Sequence, residues 1–215
     1  MATVTYYEPS DWFATINGAE SSGYAETTGV SWSEGDIIVA IPGSEDANWG
    51  FNAPTNANLT FTQQVAVFGT MGADCGTGAW TAVAGSAQTS QAIRITSANN
   101  GTRSMGVAVW VISPSGTGGI GNVTSGLASS ALSLTTSANS VVVYSCYDWN
   151  AAETDESLAT GSGTATERRD GGNSTAWGQY MADWNGTSAG TFDFGPSSYA
   201  ALNPAQIAIE ITDTG

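Results

Sequence analysis

Histidine and lysine are both missing from this 215-residue chain, and four arginines are its only cationic side chains. Without imidazole there is no Ser-His or Cys-His nucleophile system, no histidine general base and no imidazole metal site. Without lysine there is no Schiff base and no P-loop amine to grip a phosphate. None of G-x-S-x-G, C-x-x-C or G-x-G-x-x-G lies in the strand and helix context that its chemistry requires. The residue types that remain predict a protein that is not an enzyme.

Charge is scarce altogether. Charged side chains make up 11% of the chain, where about 25% is ordinary. Nineteen acids against four arginines leave a net charge of −15, which comes more from missing bases than from added acids. Displacing counterions from phosphates needs a positive patch, so no nucleic acid is expected as a partner. The same deficit disfavours an anionic bilayer, and no run of about 18 apolar residues is present to span one. No membrane is expected either. The N-terminus has neither the basic nor the apolar region of a secretory signal, which predicts a chain assembled in the cytoplasm of the cell that makes it. Cys75 and Cys146 are the two cysteines; without an export signal they read as free thiols, with one bridge as the alternative.

Helical periodicity is also lacking. Nowhere does a 3.6-residue repeat with caps persist for the 10 to 12 residues a helix needs. What is present is strand grammar. The run Val141-Val142-Val143-Tyr144-Ser145-Cys146-Tyr147 is apolar on both faces, as a central strand covered above and below would be. Residues 37–41 form a second apolar run, closed by Pro42-Gly43. Met105, Val107, Val109 and Val111 alternate with Gly106, Ala108 and Trp110, and the small residues on that face predict close packing against it. Residues 114–126 read as a Gly-rich connection, Asp170-Gly171-Gly172-Asn173 as a hairpin turn, and 206–211 as a closing strand with Ile207, Ile209 and Ile211 inward and Glu210 outward. The spacing predicts an all-β fold, an antiparallel β-sandwich, jelly-roll-like, with about ten to thirteen short strands. Residues 1–29 are expected as an N-terminal arm or edge strand and 30–215 as a single sandwich domain.

Two strand ends repeat. Asp148-Trp149-Asn150 and Asp183-Trp184-Asn185 are the candidate ligand-binding residues, on the expectation that both triplets emerge at one end of the sandwich. There each Trp would stack on a sugar ring while Asp and Asn bond its hydroxyls. The plainer alternative has each Trp folding over the core rim and each Asx closing a turn. Asp148 and Asp183 are also the one pair to weigh as glycosidase carboxylates, which requires a separation of about 5 to 9.5 Å. No cofactor is expected; Ca2+ is the one metal that the Asp and Asn oxygens would suit. In the N-terminal stretch, Tyr6, Tyr7, Trp12 and Phe13 either cap the open end of the sandwich or dock onto a neighbouring subunit.

The segments Ser31-Trp32-Ser33-Glu34-Gly35-Asp36-Ile37-Ile38-Val39, Gly106-Val107-Ala108-Val109-Trp110, 140–149 and Ala208-Ile209-Glu210-Ile211 carry a resemblance. In pattern they are similar to β-rich virion-associated proteins of tailed phages, minor tail or capsid accessory proteins among them. The resemblance implies a non-enzymatic structural protein on the virion surface, a capsid decoration or tail appendage assembled in the host cytoplasm. It implies major capsid or tail proteins as partners and a homo-oligomer, and supplies no site residues. A carbohydrate-binding module or receptor-binding adhesin, with a host surface glycan as its ligand, is the alternative that the Asp-Trp-Asn ends suggest.

Overall fold

The structure, a computed structural model, describes residues 1–9, 14–16, 24–44, 50–68, 75–98, 103–127, 130–149, 161–173, 177–196 and 204–215. Fifteen strands run through them, more than the sequence predicted, and no helix forms among them. None of it is therefore a helix long and apolar enough to cross a membrane.

In chain order the first eight strands are β1 (Thr3–Tyr7), β2 (Ala14–Ile16), β3 (Tyr24–Trp32), β4 (Ile37–Ser44), β5 (Thr62–Phe68), β6 (Gly76–Val83), β7 (Gln88–Thr96) and β8 (Arg103–Ser113). After them come β9 (Gly118–Leu127), β10 (Leu132–Thr136), β11 (Val141–Trp149), β12 (Thr164–Asn173), β13 (Trp177–Asn185), β14 (Gly190–Phe194) and β15 (Ala205–Asp213). A large sheet is ordered β1-β8-β4-β6-β5, with β2 also on β8; a second is ordered β12-β13-β11-β15-β9. Two strand pairs, β3-β7 and β10-β14, stand apart from them, and every pairing is antiparallel.

These four sheets stack as four layers. Ile37, Val39, Ile41, Trp110 and Ile112 of the first large sheet meet Val141, Val143, Met181, Ile207, Ile209 and Ile211 of the second in the central core. The opposite face of the first sheet, through Ile38, Val107, Val109 and Val111, is covered by Val30, Trp32, Ile93 and Ile95 of the β3-β7 pair. The opposite face of the second, through Val142, Tyr144, Tyr180 and Trp184, is covered by Leu132, Leu134 and Phe194 of the β10-β14 pair. Burial on both faces is why the central strands read as continuous apolar runs. β11 lies in the middle of its sheet, as its sequence predicts. The chain passes from large sheet to small pair and back, the winding of a jelly roll.

Several local expectations are corrected. β4 does not stop at Pro42 but runs on to Ser44; its ladder with β6 skips Ile41 and Pro42, where a missing N–H costs nothing, and Thr77 Oγ1 donates to the Pro42 carbonyl at 3.0 Å. The Gly-rich stretch expected as a connection is β9, the edge strand beside β15. Asp170-Gly171-Gly172-Asn173 is not the turn: β12 continues through it, and Asn173 pairs with Trp177. Glu210, expected outward, is buried, because the β10-β14 layer covers its face. β1 pairs along β8 from Thr3 to Tyr7 at the edge of the first large sheet, the edge-strand alternative for that part of the N-terminal stretch. As expected from the sequence, Cys75 and Cys146 are not bridged to each other; both are buried.

Candidate functional site

Polar side chains collect between the two large sheets, where an apolar interface would be expected. Asp183, on β13, is 1% exposed. It accepts the indole N–H of Trp110 across the sheets at 3.1 Å. It also pairs with Arg168 of the neighbouring β12, whose Nη2 donates to Oδ1 at 3.1 Å and whose Nε donates to Oδ2. Arg168 reaches inward because β12 is bulged there: Glu167 pairs with Ala182 and Arg169 with Met181, leaving Arg168 as the extra residue. A carboxylate in this position must have its charge and lone pairs met by neighbours, and three donors meet them here.

Next to this pair, Arg169 Nη1 lies 3.5 Å from Glu8 Oε1, joining β12 to the end of β1. The Tyr6 hydroxyl donates to the same Glu8 oxygen at 3.5 Å, and its ring tilts against Trp110 with centroids 4.8 Å apart. Burial pushes the Tyr6 phenol well above its ordinary range, and the Glu8 carboxylate adds to the rise. Tyr147 of β11 is also raised, by burial first and then by Tyr6. Its ring lies over Gly43 of the opposing sheet, where a Cβ would come within 1.7 Å of Cζ. That is the close packing that the small residues around β4 and β8 announce. Ser145 of β11 and Gln179 of β13 are buried here too, and among the described residues neither Oε1 nor Nε2 of Gln179, nor Oγ of Ser145, has a hydrogen-bond partner.

The structure separates the two Asp-Trp-Asn ends. β11 and β13 are antiparallel neighbours in which Val141 pairs with Asn185 and Trp149 with Trp177. The triplets therefore sit toward opposite ends of the pair, with Trp149 and the Val142 partner of Trp184 seven positions, about 24 Å, apart along strands rising ~3.4 Å per residue. The single platform expected of them does not form. Trp184 is buried against Tyr144 and Phe194, with ring centroids 6.2 and 5.2 Å away, so it offers no face to a sugar. Asn185 Nδ2 donates to the Ala2 carbonyl at 2.8 Å. Asp148 and Trp149 belong to the backbone of β11, their side chains lie outside the described residues, and so does the whole of Asn150. Asp148 pairs with Gly178 and Asp183 with Val143, which puts five register positions, about 17 Å, between the two backbones. A glycosidase pair needs about 5 to 9.5 Å, so the two acids do not make one.

Of the N-terminal aromatics, Tyr6 is taken up by Trp110, and the Tyr7 hydroxyl donates to the Ser31 carbonyl at 3.4 Å. Trp12 and Phe13 lie outside the described residues. No group of three or more acids or cysteines suited to a metal occurs among the described residues.

The remaining buried acids act as caps. Glu210 accepts from Asn122 N at 3.0 Å and Ser140 Oγ at 2.8 Å, tying β9 and the 137–140 turn to β15. Asp213 accepts from Ser115 N, Ser115 Oγ, Gly116 N and Gly215 N at 2.7 to 3.1 Å. Sequence reasoning gave no site role to Trp110, Arg168, Arg169 and Glu8, and it placed Glu210 outward. Only the unusual ionic residue inside an alternating strand, Glu210 between Ile209 and Ile211, was a usable signal.

No family model, curated protein or solved structure matches this chain. Its chemistry is thus read from its own geometry. Two open grooves mark the described surface, among others. One is lined by Pro54, Asn56, Leu59, Phe61, Gln91 and Arg94, the other by Thr5, Ser33, Asp36, Gln88, Val111 and Ser113. Neither brings two carboxylates together.

Proposed function

We propose that the protein is a non-enzymatic structural component of a virus particle, displayed on the surface of a capsid or tail and acting through subunit contacts and the surface it presents. The observation that carries this reading is where its ionisable groups are used. Arg94 pairs with Glu26, Arg168 with Asp183 and Arg169 with Glu8, while Asp183, Glu210 and Asp213 bind the backbone and side chains of the fold itself. Two of these pairs tie neighbouring strands of one sheet and the third, Arg169 with Glu8, joins the two large sheets, so these groups hold the fold together, as suits a building block. A polar, strongly acidic exterior around a four-layer core also keeps such a component soluble until it finds its place.

Fractionating purified particles tests the reading. Recovery of the chain with intact virions, at a fixed ratio to the major capsid or tail protein, is the expected result. Protein found free in the lysate and absent from particles would overturn it, and a saturable response on a glycan array would move the assignment to an adhesin.

A further inference from the structure

We propose that this chain is a covalently linked pseudo-dimer: residues 1–113 and 118–213 are two copies of one seven-strand unit, and the inter-sheet face of each unit is a docking surface for a second copy of that unit. The first unit uses β1, β3, β4, β5, β6, β7 and β8; the second uses β9 to β15. Taken in chain order, the large sheets are wound identically, β1-β8-β4-β6-β5 and β9-β15-β11-β13-β12, and the small pairs β3-β7 and β10-β14 occupy the same two places. Among the described residues, β2 is the one strand without a counterpart.

Register extends the match from strands to residues. Ile37 lies opposite Val83 and Ile112, and Val141 lies opposite Asn185 and Ile211, so Ile37 corresponds to Val141. Two places before them stand Gly35 and Asn139, both left-handed with φ of 86° and 63°. Each closes a like pair of backbone bonds to the residues after the neighbouring strand, one residue further along in the second unit. Gly35 N donates to Ala84 O at 2.8 Å and Ala84 N to Asp36 O at 2.9 Å; Asn139 N donates to Thr187 O at 2.7 Å and Thr187 N to Ser140 O at 3.1 Å.

The bulges agree as well. In β5 the register slips between Gln63 and Val65 opposite Trp80 and Ala79, and in β12 it slips between Glu167 and Arg169 opposite Ala182 and Met181. By the correspondence these are the same position. The extra residues, Gln64 and Arg168, then turn to the same neighbour: Gln64 Nε2 donates to Thr81 Oγ1 at 2.8 Å, and Arg168 to Asp183. Winding order alone does not dictate where a strand bulges or what its extra side chain grips; bulges are features kept within families.

The packing brings corresponding strands opposite one another, as in an isologous interface, closely on the β5-β6 side and through long side chains on the β12-β13 side. β6 lies on β15 and β5 on β9; their counterparts are β13 on β8, joined by Trp110 and Asp183, and β12 on β1, joined by Arg169 and Glu8. β4 lies on its own counterpart β11, where a pseudo-two-fold axis must pass.

Two experiments test this, the first on the intact chain and the second on the chain cut at its linker. First, Arg168→Gln with Asp183→Thr installs in the second unit the neutral pair that the first unit uses. Asp183→Thr alone, leaving the guanidinium without its carboxylate, is expected to lower Tm by about 8 °C, and the double variant to recover most of that loss. A double variant that melts no higher than the single one overturns the residue correspondence. Second, a protease site is placed in the 114–117 linker and the folded protein is cut there. The two fragments are expected to stay together, and after unfolding and refolding to include like-with-like pairs, seen by native mass spectrometry. Only unlike pairs, or only monomers and aggregates, would overturn the docking claim.

Discussion

The indole N–H of Trp110 on β8 points across the central interface to the carboxylate of Asp183 on β13, at 3.1 Å. This contact and the Arg168 pair beside it put a charge into an interface whose core is built largely from Ile, Val and Met. Asp183→Asn keeps an acceptor for Trp110 but strips Arg168 of its counterion. The expected loss is about 3 kcal/mol, read from the urea midpoint followed by tryptophan fluorescence.

Gly43 and Tyr147 are matched in shape rather than charge. A Cβ at position 43 would overlap the Tyr147 ring, so Gly43→Ala is expected to cost about 2 to 3 kcal/mol through overpacking. Tyr147→Ala opens a cavity instead. In the double variant the two costs should fall well short of their sum, and additive losses in urea melts would refute the contact.

Acid should loosen the junction between the halves. Burial raises the Asp213 pKa, but donors from Ser115, Gly215 and Gly116 outweigh it and bring the group down to about 2 from 3.8. A carboxylate lowered in the folded state adds stability above its unfolded pKa, and that stability is lost as pH falls from about 3.8 through 2. Asp213→Asn should flatten this limb of a urea-midpoint series between pH 5 and 2.

At the alkaline end the sign reverses. Tyr6 and Tyr147 are both raised above 10.0, so the unfolded chain loses its phenolic protons first. Their stabilisation is complete below pH 10 and is lost as pH rises beyond it. Tyr6→Phe should make stability fall less steeply between pH 9.5 and 11, as measured by circular dichroism at fixed urea.

The parts of this fold that can be read from sequence are those where composition and environment agree. The runs at 37–41 and 141–147 are apolar without alternation because each has a sheet on either side, and their central placement follows. β9 is hidden because its glycines resemble a loop, although as an edge strand it needs few side chains to hold it. Glu210 was misread because alternation predicts one wet face, and a second two-stranded layer makes that face dry. The Asp-Trp-Asn likeness misled because spacing along the chain says nothing of strand direction: β13 returns beside β11, which carries the second triplet to the far end. The duplication shows in no residue string. Its marks are a bulge position, a left-handed turn residue and a winding order, and each of these emerges only once the strands are paired.

Stacking four sheets shuts the middle two away from solvent on both sides. In deuterated buffer, amide protons of β4, β8, β11 and β15 should therefore exchange last, through rare openings of the whole molecule. Those of β3, β7, β10 and β14 should exchange earlier through smaller excursions, so the molecule would loosen from its outer covers and keep its two inner sheets to the end.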